Sequence, residues 1–195
     1  MNKLMGFFEL KNLNLPIIPW EEYTGTQSFS EDRLWTIRTA LFKGQDQNLP
    51  RYIGVDGKKA KECADRLYNE FKDKGIVIFY PYFIAQKSGN LCVNNDKTII
   101  EAVRGDLWNL VTYSKRDVTI VLSGNKIEND GDKDFLDNTE LDEILKYIPQ
   151  IKQEFKEILL EGKNILLEWS FAYDCDSQKN IIGDKYLVFY EARAV

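Results

Sequence analysis

The last thirty residues constrain the fold most. NILLEWSFAYD and KYLVFYEARA are two runs dense in β-branched and aromatic residues, separated by the polar stretch DSQKNIIGD. That pattern predicts two strands joined as a closing hairpin. Within it, Glu168 sits on the first strand and Glu191 on the second, among the apolar Leu166, Leu167, Trp169, Val188 and Phe189. Carboxylates here lie in what is otherwise core material.

If the strands pair, Glu168 approaches Glu191 across the ladder. Adjacent carboxylates repel unless a cation joins them. Mg²⁺ shared with triphosphate oxygens would do so, because it prefers hard oxygen ligands. Two other readings fit the same pattern. Both acids could face solvent, or one of them could pair with Arg193, two residues beyond Glu191.

The rest of the chain alternates helix and strand signals. Apolar Leu4, Phe7, Phe8 and Leu10 suit a helix over residues 3–13, and Pro16 and Pro19 then stiffen an extended connection. Trp35 to Arg38 reads as strand, and residues 44–57 as a polar loop with one short ordered stretch. Residues 58–73 form the clearest helix, with Ala60, Cys63, Ala64, Leu67 and Phe71 at three-and-four spacing and Gly75 placed to end it. Short strands follow at 76–80, 90–93, 97–103 and 117–122, and SGNKIENDGDKDF reads as a hydrophilic turn region. Residues 139–160 are helical, with Thr139 as the expected cap, Pro149 as a divider and Gly162 as the stop. Hairpins in place of regular βαβ units make the expected class α+β with antiparallel sheet content.

Composition narrows function by exclusion. The net charge of -5 does not draw polyanions by bulk field, so nucleic acid is not an expected partner. Three widely spaced cysteines form neither a disulfide framework nor a zinc pattern. With no His, neither a histidine base nor a phosphohistidine can be made from these residues. The first twenty residues do not read as a signal peptide, and no apolar run approaches the roughly 20 residues that span a bilayer. The expectation is a cytoplasmic protein with no membrane partner.

Four ordered matches make the sequence resemble the ATP-binding domain of the phosphoenolpyruvate synthase and pyruvate phosphate dikinase family, in a shortened, stand-alone ATP-grasp form. Lys3 followed by Leu15, Pro16 and Pro19 is similar to the family's Lys and Leu-Pro-x-x-Pro opening. WTIRTA resembles its Val-Arg-Ser-Ser-Ala segment, which carries over to Arg38. FYPYFIAQKSGNLCV through TIIEAVRGDL resembles the adenine hinge, Ser-Gly, acid and glycine turn, placed here on Tyr82, Phe83, Ile84, Ser88, Gly89, Glu101 and Gly105. The ending resembles the family's acid-Trp strand and its Gln-x-Arg, with Glu191 standing where the family has Gln.

The resemblance implies an α+β, ATP-grasp-like fold of two lobes, with mixed or antiparallel sheets flanking a nucleotide cleft. Residues 1–75 would carry the phosphate-contacting Lys3 and Arg38, and residues 76–195 the hinge and the metal-binding hairpin. Lys3, Arg38 and Arg193 would be catalytic. Tyr82, Phe83, Ile84, Ser88, Gly89 and Glu101 would hold the nucleotide, and Glu168 and Glu191 the Mg²⁺. The implied activity is ATP- and Mg²⁺-dependent phosphotransfer or ligation onto an unidentified small-molecule or protein acceptor, with a separate phosphohistidine or catalytic subunit as a conceivable partner. Two alternatives stand beside it: a non-catalytic nucleotide-binding or regulatory subunit, and an interaction protein whose degenerate cleft is filled by Trp169 or Trp35.

Overall fold

The structure is a computed structural model that describes residues 3–43, 49–124 and 126–195, with side chains from residue 6 onward. In chain order its elements are α1 (Lys3–Asn12), β1 (Glu21–Glu22), β2 (Trp35–Leu41), β3 (Arg51–Val55), α2 (Gly57–Phe71), β4 (Gly75–Pro81), β5 (Phe83–Val93), β6 (Lys97–Arg104), α3 (Trp108–Tyr113), β7 (Val118–Ser123), β8 (Lys126–Gly131), α4 (Asn138–Leu145), α5 (Ile148–Glu154), α6 (Lys156–Leu160), β9 (Ile165–Cys175) and β10 (Ile181–Ala194). The class is α+β. A four-stranded sheet runs β1-β4-β2-β3 and a six-stranded sheet runs β10-β9-β5-β6-β7-β8. Every paired strand in both is antiparallel.

Each sheet buries one face under helices. Alternation along β5, β6 and β9 sends Leu91, Val93, Ile100, Ala102, Leu167, Trp169 and Phe171 to one side, where Ile144, Ile151, Phe155 and Leu159 of α4–α6 cover them. On the smaller sheet, α2 packs Ala60, Ala64, Leu67 and Phe71 onto Ile37, Val77 and Phe79. A third cluster joins the sheets: Phe7, Ile18 and Trp20 meet Ala40, Ile78, Tyr80, Val188 and Tyr190. Helix α1 crosses from one sheet to the other and lies on the backbone of β10. A Cβ on Gly6 would fall 1.9 Å from the Ala192 carbonyl oxygen, so only glycine permits that approach.

Four local expectations need correction. Asp137, not Thr139, caps α4, in a capping box with Glu140 that satisfies two helix-end groups reciprocally. Pro149 does divide the helical run, at the first turn of α5, where a missing N–H costs nothing. Gly75 opens β4 and does not cap α2, whose C-cap is Lys72; its Cβ would meet the Ala40 carbonyl oxygen at 2.2 Å. The hydrophilic stretch after residue 123 contains β8, an edge strand exposed along its length that, among the described residues, pairs only with β7. Charged residues suit an unprotected edge, and they erase the alternation by which a strand is read. Strand β5 is eleven residues long where the expectation covered only 90–93.

Candidate functional site in the cleft between the sheets

The two sheets meet at residues 81–83. β4 ends at Pro81 in the small sheet and β5 begins at Phe83 in the large one. Beside this junction opens a cleft of about 940 Å³. β4 lies beyond residue 75, yet it is hydrogen-bonded within the four-stranded sheet.

Charge is concentrated at the base of the cleft. Arg38 of β2 donates from Nη2 to Glu191 Oε2 of β10 at 3.0 Å, and both side chains are largely buried, at 12 % and 3 % exposure. Burial opposes the Arg38 charge, but the Tyr80 hydroxyl and the Glu191 and Glu168 carboxylates around it hold its pKa above the usual arginine value. The Tyr80 and Tyr190 hydroxyls are pushed upward, chiefly by desolvation, so both are neutral donors at physiological pH. Arg193 Nη2 stands 3.9 Å from Glu168 Oε1, an ion-pair distance too long for a hydrogen bond.

Glu168 and Glu191 are direct register partners. This depends on a β-bulge. Phe189 faces Trp169, so an unbroken ladder would set Glu191 opposite Leu167; the irregularity before Glu191 shifts it to Glu168. The row continues across the large sheet from Glu191 through Glu168, Asn90, Glu101 and Thr119 to Asp130. All six therefore share the sheet face opposite the helices.

A different wall of the cleft is apolar, formed by Ile53 of β3 together with Leu107, Trp108 and Val111 at α3. Between the walls, residues 83–85 pair with β9 on one edge, whereas β6 begins pairing with β5 only at Lys87. Their other edge has no strand partner among the described residues.

The sequence-derived candidates separate into groups. Arg38, Arg193, Tyr82, Phe83, Glu168 and Glu191 all line the cleft. Ile84 follows on β5 opposite Tyr173 and lies outside the lining. Ser88 is buried on the adjacent strand, sharing a 2.7 Å hydrogen bond with its register partner Ser170, a cleft residue. At Gly89 a Cβ would fall 2.0 Å from the Glu101 carbonyl oxygen and 2.4 Å from the Trp169 ring, so this glycine makes room for a core tryptophan. Glu101 lies farther along the row, paired with Arg116 at 3.0 Å. The Lys3 side chain lies outside the described residues. Trp169 and Trp35 pack in the helix-covered cores, so neither fills the cleft. Sequence reading missed Arg51, Tyr190 and Trp108, which also line it. The short alternating run RYIGV was the one available signal for Arg51.

The donor set fits Mg²⁺ in one respect. Two opposed carboxylates supply hard oxygens, and magnesium commonly takes one or two carboxylates with the remainder from phosphate and water. No group of three His, Cys, Asp or Glu side chains suited to a metal occurs among the described residues, so a nucleotide would have to complete the coordination.

No protein-family model matches the chain, and no curated protein matches it. Among solved structures it is similar to N5-carboxyaminoimidazole synthetase from Staphylococcus aureus, with 12% identity over 98% of this chain and 43% of that chain at a TM-score of 0.48. The synthetase complexed with ADP gives 14% identity over 98% and 43%, at 0.46. The macrocyclase MdnC from Microcystis aeruginosa MRC, bound with precursor peptide MdnA, gives 9% over 97% and 51%, also at 0.46. The chain thus spans about half the length of these proteins or less. The cleft's own residues carry the functional reading. No helix among the described residues is long and apolar enough to cross a membrane.

Proposed function

We propose that the cleft binds ATP with Mg²⁺, and that the chain is an ATP-grasp unit serving phosphotransfer or ligation onto an acceptor from another molecule. The observation that carries this reading is the buried Arg38–Glu191 pair with Glu168 beside it, bridging two sheets at the base of an open cleft. Acids and an arginine kept together at the base of a cleft suit a ligand that is itself polyanionic and metal-bound. Ile53, Leu107 and Val111, with the edge of residues 83–85 that lacks a strand partner among the described residues, support an adenine site: the apolar side chains offer a face for the purine, and the edge offers backbone donors and acceptors.

In this reading Arg38 and Arg193 neutralise phosphate oxygens, and Lys3 joins them. Glu168 and Glu191 hold Mg²⁺, which would draw charge from the phosphates as the transferring group develops it. Tyr82 and Phe83 frame the adenine, and Ile84 contributes through its backbone on the open edge. Ser88 supports the hairpin through Ser170, Gly89 makes room for Trp169 on the opposite face, and Glu101 extends the acidic row. These residues contain no His, so the acceptor, or any phosphohistidine, comes from elsewhere. The resemblance of four segments supports a nucleotide site of the phosphoenolpyruvate synthase and pyruvate phosphate dikinase kind.

The test is a thermal-shift panel of nucleoside triphosphates with Mg²⁺ and with EDTA. At a hundred times its dissociation constant, a ligand specific to the native state adds about 2.7 kcal/mol, or roughly 5–10 °C in a domain of this size. The expected result is that shift for Mg·ATP and a smaller one in EDTA. Equal response to every triphosphate would remove the adenine site, and no response would remove the nucleotide reading.

A further inference from the structure

Arg51 is the register partner of Arg38 on adjacent strands of the small sheet. Like charges directly opposite one another on a ladder destabilise it, so the arrangement needs a compensating anion. Arg38 has one, in Glu191. Among the described residues Arg51 has no carboxylate within ion-pair distance. Its guanidinium instead lies over the Trp108 ring, 4.7 Å from the centroid. Arg51 also lines the cleft and is among the charges acting on the Tyr80 hydroxyl, so it belongs to the same electrostatic neighbourhood as Arg38.

The contact joins β3 of the small sheet, which carries Arg51, to the start of α3, which carries Trp108. Trp108 is 48% exposed, while Trp20 and Trp169 are buried. An exposed cation–π contact is weak. A guanidinium with its in-plane donors open forms stronger, forked hydrogen bonds to phosphate.

We propose that Arg51 is a second phosphate-binding arginine of this cleft, and that Trp108 is the resting place its guanidinium leaves when a polyphosphate enters. The proposal rests on the reading of the cleft as a nucleotide site. It assigns Arg51 to the ligand and Trp108 to the empty state, so the two side chains affect affinity in opposite directions.

The experiment is calorimetric titration of the full chain, R51Q and W108F with Mg·ATP, adenosine and inorganic tripolyphosphate, with tryptophan emission followed in parallel. R51Q should weaken Mg·ATP by about ten- to a hundredfold, the loss of a charged hydrogen bond, and leave adenosine unchanged. W108F should bind Mg·ATP about twofold more tightly, because a phenyl ring holds the guanidinium less strongly than indole does. Wild-type emission should change on binding, and W108F emission should not. Wild-type affinity in R51Q overturns the assignment of Arg51. Weaker binding by W108F overturns the resting-place role and makes Trp108 a ligand contact. If Mg·ATP fails to bind but tripolyphosphate is held by wild type and lost in R51Q, the anion site stands and the nucleotide reading falls. Failure of both ligands removes both.

Discussion

Arg38 and Glu191 stand 153 positions apart in the chain and meet at 3.0 Å, one from each sheet. They join the small sheet to the last strand of the large one at the base of the cleft. The pair ties the two sheets together, and in the proposed function it holds a cation and an anion where a metal-bound polyphosphate would exchange with them.

Removing one partner of a buried ion pair costs more than removing both. R38M should therefore lower stability by about 3–5 kcal/mol in urea denaturation, and R38M/E191L should recover most of that loss. An R38M protein as stable as wild type would mean that the bridge does not hold the lobes.

Glu168 and Glu191 should separate by substitution. E168A is expected to weaken Mg²⁺-dependent ATP binding by about 2–4 kcal/mol, the scale for deleting one member of a charged cluster. E191Q keeps an amide oxygen and should retain part of the affinity with the fold intact. ATP calorimetry in Mg²⁺ and in EDTA measures both; unchanged affinity in folded E168A would exclude a metal role.

Glu140 should set an acid limit to stability. It is buried at 2% exposure and accepts from Lys87 Nζ at 2.5 Å and Lys185 Nζ at 2.8 Å. Burial pushes its pKa up, but the two lysines and the Asp137 backbone outweigh that, and the net shift is below the ordinary 4.5. The unfolded chain thus binds the proton more readily than the folded one. Stability from this carboxylate is complete above the ordinary value and is lost as pH falls through the depressed one. Wild type should lose stability in that window more steeply than E140Q, as followed by urea midpoints across the acid range.

Glycine 89 should tolerate no side chain. G89A puts a methyl group into the Glu101 carbonyl and the Trp169 ring, both fixed in the core, and should cost more than about 4 kcal/mol or prevent folding. G124A is the control. Its Cβ would meet nothing within 4 Å, so only the positive φ of 56° is strained, at about 1 kcal/mol. Comparable losses in the two would contradict the packing account.

Much of this molecule was legible in one dimension. The spacing of Ala60, Cys63, Ala64, Leu67 and Phe71 specifies α2 because a helix repeats every 3.6 residues, and the density of β-branched and aromatic residues specifies β9 and β10. The same local chemistry put Arg38 on a strand and two acids on a hairpin. Tertiary structure decided what those residues face. Strand periodicity assigns alternate residues to two faces but names no partner, and a slip of one residue exchanges the faces. Only the bulge at Tyr190 sets Glu191 against Glu168 where unbroken pairing would give Leu167. Only the closure of one sheet against the other brings Arg38 to Glu191 and Arg51 to Trp108. Those contacts arise from packing between distant segments, and no local spacing encodes them.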